Sequence, residues 1–358
     1  MGAFRTGRVV ALLEERPDIV RFDLQLDSSD DGPVEVVGFP AQLGPVAAGD
    51  RVVVNTTGIE LGLDTGGVAF ALWNLDGSGV MEPGEGHIVK LRYTPWQTEV
   101  LATEAPESPH HEALKDVVSV DGMPVVACGL HSQLAAACAG IKAARPDARI
   151  GYLMTDSAAL PLAWSRLVAQ LRGAELLDVT CTAGHAFGGD LEAVNVFSGL
   201  AALRVVGKVD VTIAVSGPGV VGTDTTLGFS AIEQGQVLDA VTAMDGRAIG
   251  ALRISFTDLR SRHVGVSHHT LTALTVAARE RCLVAVPLLP DDRMEMVMRS
   301  LTDAGVADRH ELRVVDGGPG LRLLADRGLR PSSMGRTLDE TPELFVAAAA
   351  AGILAATL

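Results

Sequence analysis

R-I-S-F-T-D-L-R-S-R-H-V-G-V-S-H-H-T, residues 253–270, follows an apolar run, Ala248–Ile254, and leads into a segment suited to a helix. An apolar run, a polar loop and a helix in that order describe the carboxyl end of a buried parallel strand, the edge at which open α/β sheets bind ligands. The loop carries Arg260, Arg262, His263, His268 and His269. Arginines suit bidentate recognition of a phosphate or carboxylate. Histidines suit proton transfer or metal binding.

The same alternation extends in both directions. From Met123 onward, strands are expected at Pro124–Cys128, Arg149–Met154, Leu176–Cys181, Val209–Val215, Ala248–Ile254, Leu283–Val286 and Leu312–Val315. Helices are expected at Gln133–Ala144, Leu160–Leu171, Leu191–Val205, Ala231–Ala243, Thr270–Arg279, Asp291–Ala304 and Thr341–Ala356. Alternating strands and helices predict an α/β fold, a parallel, doubly wound (Rossmann-like) sheet covered by helices on both faces.

Residues 1–104 read differently. Gly7–Leu13, Ile19–Leu26, Val34–Val37, Arg51–Asn55, Val68–Leu72 and His87–Arg92 are short β-branched or alternating runs separated by turn clusters such as Asp27–Gly32 and Asp76–Gly79. They predict an N-terminal small β-barrel domain, with a Gly-rich loop at Asn55–Gly67. Residues 105–122, with Pro106 and Pro109 and mixed charge, are the expected linker, and 123–358 the α/β domain that carries the site.

Composition agrees. Of 358 residues, 47% are hydrophobic and only 4% aromatic, so the core is aliphatic, as in parallel sheets with Ala-rich helices. A net charge of −15 disfavours nucleic acid, whose backbone calls for a basic face. No apolar stretch is long enough for a membrane span, and the N-terminus lacks a signal peptide's apolar core. Cys128, Cys138, Cys181 and Cys282 have no metal-knuckle spacing and read as reduced core thiols of a cytoplasmic protein.

In a parallel sheet the loops after the strands share one edge. Five of the nine histidines, His131, His185, His263, His268 and His269, fall in such loops. His185 sits in the Gly-rich turn T-A-G-H-A-F-G-G-D (182–190) and is either an acid/base group or a metal ligand, or a turn residue. Asp190 reads first as the N-cap of the next helix and second as a ligand. Asp156 is a ligand, a general base or a turn residue. Gly217, Gly219 and Gly222 match G-x-G-x-x-G, and with Thr223 they form a candidate anion nest or a plain connector. No acidic residue stands where a dinucleotide site needs one. Ser132 reads as an N-cap, Glu233 and Gln234 as solvent-facing, and Arg336 as a group lying over the site. Neighbours on a regular element point to different faces, so only one of His268 and His269 is expected inside.

The motifs G-H-A-F-G-G-D-L-E-A-V (184–194), G-P-G-V-V-G-T (217–223), L-G-F-S-A-I-E-Q-G (227–235) and 253–270 together resemble an uncharacterised bacterial family known only as a domain of unknown function. The resemblance covers almost the whole chain and implies no activity. At position 224, where it implies a small residue such as glycine, this chain has Asp.

The expected function is an enzyme, a hydrolase or transferase, acting on a small anionic metabolite, with a phosphorylated one as a candidate. Arg260, Arg262 and the 217–223 loop would bind the anion. His185, His263, His269 and Asp156 would do acid/base chemistry. A divalent metal is the candidate cofactor, with His131, His185, Asp190 and His268 as candidate ligands. That design needs His131, His185 and His263 on one pocket. The alternative is a metabolite-sensing or scaffold protein without turnover. A homo-oligomer is compatible with either.

Overall fold

The computed structural model describes residues 2–29, 31–62, 67–77 and 84–358. Asp30 of the first turn cluster, Ser78–Gly79 of the second, and residues 63–66 of the Asn55–Gly67 loop lie outside the described residues. The chain packs as two compact units, 1–85 with 91–99, and 86–90 with 100–358.

The first unit is a closed five-stranded barrel built from β1 (Phe4–Glu15), β2 (Val20–Leu26), β3 (Val34–Gly38), β4 (Arg51–Asn55) and β5 (Ala69–Asn74), in the order β1-β2-β3-β5-β4. All pairs are antiparallel except β3 with β5. The alternation read from the sequence is the inward face: Val20, Phe22 and Leu24 of β2 meet Val36, Val52 and Val54. Register shifts in β1, between Val9 and Ala11 and between Leu12 and Glu14, bend that long strand around the barrel. Two short strands follow, β6 (Ile88–Lys90) and β7 (Thr98–Val100). Within the second unit, Ala105, Leu114 and Val120 are buried.

The second unit is organised by an eight-stranded, all-parallel sheet. Its strands are β8 (Pro124–Ala127), β9 (Ile150–Thr155), β10 (Val179–Thr182), β11 (Leu191–Glu192), β12 (Val211–Ser216), β13 (Arg247–Ala251), β16 (Leu283–Pro287) and β17 (Glu311–Val315). Between β13 and β16 lies a small antiparallel pair, β14 (Ile254–Ser255) with β15 (Gly265–Val266). Near the C-terminus β18 (Ser332–Ser333) pairs with β19 (Arg336–Thr337). The order across the large sheet is β11-β10-β9-β12-β8-β13-β16-β17. The chain starts at β8, runs outward on one side, returns as β12 beside β8, and then leaves on the other side through β13. The loops after β12 and β13 therefore flank the end of β8, at the reversal where α/β sheets open a crevice.

Both sheet faces are buried. Val126 joins the apolar cluster on one face, and Val125 and Ala127 join the cluster on the other. The helices Leu134–Ala144 and Pro342–Ala356 cover the first face at very close range: a Cβ on Gly140 would run into the Ala349 carbonyl, and one on Gly352 into that of Ala137. Overpacking such a contact costs on the order of 1–3 kcal/mol. No helix among the described residues is long and apolar enough to cross a membrane.

Several elements differ from expectation. The helix expected from Leu191 begins as β11 and becomes helical only at Val196, after Asn195 caps it by accepting from Ser198 N. Leu160–Leu171 divides into a 3-10 turn, Leu162–Trp164, and a helix, Arg166–Gly173, capped by Ser165. The segment after Thr270 is helical at His268–Thr272 and widens into a π-turn at Ala273–Ala277. A helix not expected from the sequence, Gly318–Asp326, follows β17, and its Gly320 lies against Gly140.

Candidate functional site

The loop after β13 is built around Asp258, a buried carboxylate. Its Oδ1 accepts from Arg260 N and Nε, both at 3.0 Å, and its Oδ2 accepts from Arg260 Nη2 and Arg336 Nη2, both at 3.1 Å. Arg253 Nη2 lies 3.7 Å from the same oxygen. Burial alone would raise the carboxyl's pKa. The hydrogen bonds from Arg260 and Arg336 and the charge of Arg260 outweigh it and hold the pKa well below the usual carboxylate range. Burial and the charge of Arg260 press Arg253 down to about 10, so it stays cationic at neutral pH.

Arg262 turns the other way and forms an ion pair with Asp224 of the loop after β12. Asp224 has φ 65°, the left-handed conformation that explains why a small residue was expected there. Aspartate tolerates it better than most side chains and adds the carboxylate that holds Arg262. Four guanidiniums, those of Arg253, Arg260, Arg262 and Arg336, thus face two carboxylates. The locality is cationic inside an acidic protein.

Three histidines share this locality. His263 is 1% exposed, and its Nδ1 meets Ser267 Oγ at 2.7 Å. Ser267 also caps the short helix His268–Thr272 by accepting from His269 N. That cap places His268 and His269 in the first helical turn. Both rings turn toward His263, with centroids 5.1 and 4.9 Å from it and 4.4 Å from each other. The expectation that only one would face inward is therefore corrected. The cluster lies at the end of the helix, where consecutive side chains need not diverge as they do along its flank.

His269 stacks on Phe229 at 4.0 Å with an interplanar angle of 3°. Gly222 lies against the same ring; a Cβ there would stand 3.4 Å from Cε1 and Nε2. On its other nitrogen, His269 Nδ1 lies 3.3 Å from Arg253 Nη1. Burial, then the Arg253 charge, depress His263 and His269 to about 3. Burial, then Arg262, lower His268. The cluster is neutral at physiological pH. One ring nitrogen of each histidine lies within 4.8 Å of the other two. Arg262 Nε, His263 Nε2 and His268 Nε2 are all buried and have no hydrogen-bond partner.

The other expected site residues are placed elsewhere or used up. His131 is buried with both ring nitrogens occupied, Nε2 by Ser165 Oγ at 2.7 Å and Nδ1 by Tyr152 Oη at 3.2 Å. It offers no free lone pair to a metal. His185 and Asp156 do meet, through the backbone: His185 N donates to Asp156 Oδ2 at 2.8 Å. Gly184, at φ 66°, makes room for that carboxylate. Asp190 caps no helix; it accepts from Thr180 N and Oγ1 and pairs with Arg172, because the chain after it joins the sheet as β11.

Thr223 spends its N–H on Gly228 O at 2.8 Å, so it is not a free donor in an anion nest. Gly217 is there for close approach, since a Cβ would stand 2.5 Å from Ala159 O, and Gly219 for its φ of 105°. Ser132 is no cap: its Oγ donates to Ser333 Oγ, and Gln133 Oε1 accepts from Gly129 N and Leu130 N instead. Arg336 pairs with Asp258.

Sequence reasoning passed over four residues that shape the strand-end edge. Asp258 was legible as D-x-R-x-R. Arg253 looked like a strand end. Glu233, read as solvent-facing, accepts from Thr155 Oγ1 and Ser157 Oγ, both at 2.6 Å. Gln234 is 3% exposed and donates to Ala127 O and Ala251 O, tying the ends of β8 and β13 together. Such tertiary cross-links leave no local signal.

No curated protein matches the chain. A family model described as a protein of unknown function, DUF3866, matches residues 36–352, which span the motifs quoted above, nearly the whole of the second unit and the first unit from within β3 onward. The chain belongs to the DUF3866 family.

Proposed function

We propose that this protein is an enzyme acting on a small anionic metabolite, of phosphate or carboxylate type, at the edge formed by the loops after β12 and β13. One observation carries the proposal: Arg262 Nε, His263 Nε2 and His268 Nε2, on a single loop, are buried without partners. Buried polar atoms are almost always satisfied, and an unsatisfied group costs about 1–3 kcal/mol. A ligand with several acceptor oxygens would satisfy the guanidinium, and the surplus of arginines favours one that is negative. The charge of a bound anion would raise the depressed pKa values of the histidines beside it and so suit them better to take a proton. The reaction class is hydrolysis or group transfer, in the cytoplasm, without nucleic acid, and a homo-oligomer is compatible with it.

The test is thermal stabilisation by inorganic phosphate and small carboxylates at constant ionic strength, in the wild type and in Arg262→Ala. Stabilisation that is lost in the variant supports the proposal. A wild type indifferent to every anion, or an unchanged variant, sinks it. The engagement of His131 by Tyr152 and Ser165 favours a second reading, sensing without turnover. Mass spectrometry separates the two: an enzyme converts the stabilising ligand, and a sensor returns it intact.

A further inference from the structure

We propose that His263, His268 and His269 form a divalent-metal site, with one coordination position left for the anion that the surrounding arginines attract. The inference deepens the reading above and rests on it for the fourth ligand. Its ligand set differs from the one expected from sequence, which drew on His131, His185 and Asp190.

Three observations carry it. The first is spacing. Nitrogens bound to one tetrahedral zinc stand about 3.4 Å apart, given bonds of about 2.0–2.1 Å. The nitrogens here already lie within 4.8 Å of one another, so modest ring rotation closes the set. The second is vacancy of the lone pairs. His263 Nε2 and His268 Nε2 are buried and unpartnered, and a bound ion would satisfy both at once. The third is orientation. Ser267 Oγ, 2.7 Å from His263 Nδ1, fixes that ring with Nε2 free, the outer partner that metal-binding histidines use. His269 presents its lone pair on Nδ1, so the ion competes for it with Arg253, which keeps Asp258 as its counter-charge.

Imidazole nitrogens select zinc, cobalt, nickel or copper over magnesium and calcium. Three neutral ligands leave the ion's full charge uncompensated beside four guanidiniums. The fourth ligand must then be an anion, and metal and anion must bind cooperatively. By reciprocity each raises the other's affinity by the same factor. A three-histidine site with an exchangeable position is the open type used to polarise a bound oxygen or activate water.

The experiment uses the full chain without a histidine tag, stripped with a chelator. It is titrated with Co²⁺ by visible absorbance and with Zn²⁺ by calorimetry, with and without inorganic phosphate. One ion per chain, tetrahedral cobalt bands and tightening by phosphate within the usual coupling range of about 5–150-fold are expected. His263→Ala and His269→Ala should abolish the bands and weaken binding by more than about 100-fold, beyond what loss of an outer partner costs. His268→Gln, at the half-buried position, should do the same and provides the test if the buried variants do not fold. His185→Ala should bind as wild type does. Absence of stoichiometric binding, or binding that survives His268→Gln, overturns the metal site. If stripped protein still binds phosphate through Arg262 while Co²⁺ fails, the metal site alone falls and the anion reading stands. If Co²⁺ binds through the histidines and phosphate has no effect, the anionic fourth ligand is overturned.

Discussion

Arg253 Nη1 lies 3.3 Å from His269 Nδ1, between two buried side chains. A guanidinium can only donate, so the imidazole must accept on Nδ1. His269 is thereby held as the neutral tautomer with its proton on Nε2, pressed against Phe229 and Gly222.

The first prediction follows directly. Nitrogen-15 spectra of the metal-free protein at neutral pH should show His269 protonated on Nε2 and bare on Nδ1. Arg253→Met should remove the bias between the two tautomers. An Nδ1–H signal in the wild type would contradict the arrangement.

Asp258→Asn breaks the hub of the loop. Arg253, Arg260 and Arg336 would then crowd together without their counter-charge. Removing one partner of a buried ion pair costs about 3–5 kcal/mol, and a loss of that order is expected in denaturant unfolding at pH 7. Because the folded-state pKa of Asp258 is depressed, its contribution is present above the unfolded carboxyl value of 3.8 and disappears as pH falls through the folded value. The wild-type advantage over the variant should therefore shrink in strong acid.

His131 gives a second pH window. Burial lowers its pKa from 6.5 to about 4. The folded state binds its proton less readily than the unfolded chain, so its stabilising contribution is complete above 6.5 and is lost as pH falls toward 4. The shift is worth about 3 kcal/mol at most. His131→Asn should be less stable at pH 7, with a flatter stability profile between those two values. A profile parallel to the wild type would exclude His131 as the titrating group.

Glu233 has the opposite sign. Burial chiefly, and the charge of Asp156 in addition, raise its pKa above the ordinary 4.5. The folded state holds its proton more tightly, so Glu233 favours folding at low pH and opposes it as pH rises through the folded value. Glu233→Gln keeps an oxygen to accept from Thr155 and Ser157. It should melt higher than wild type at pH 7, with the difference vanishing below 4.5.

The alternation of apolar runs and helical segments from Met123 onward determined the parallel sheet, and period-two runs before it determined the barrel. Both patterns follow from burial of a face, which is written residue by residue along the chain. The position of the 253–270 loop at a strand end was legible for the same reason, as was its stock of arginine and histidine. What that loop does with them was settled only by tertiary structure. Arg262 finds Asp224 across from the neighbouring loop. Ser267, by capping, turns both His268 and His269 toward His263. Tyr152 and Ser165 remove His131 from the set, and β11 takes Asp190 away from a helix end. The direction of a loop side chain depends on hydrogen bonds and charges from residues distant in sequence, and no periodicity records them.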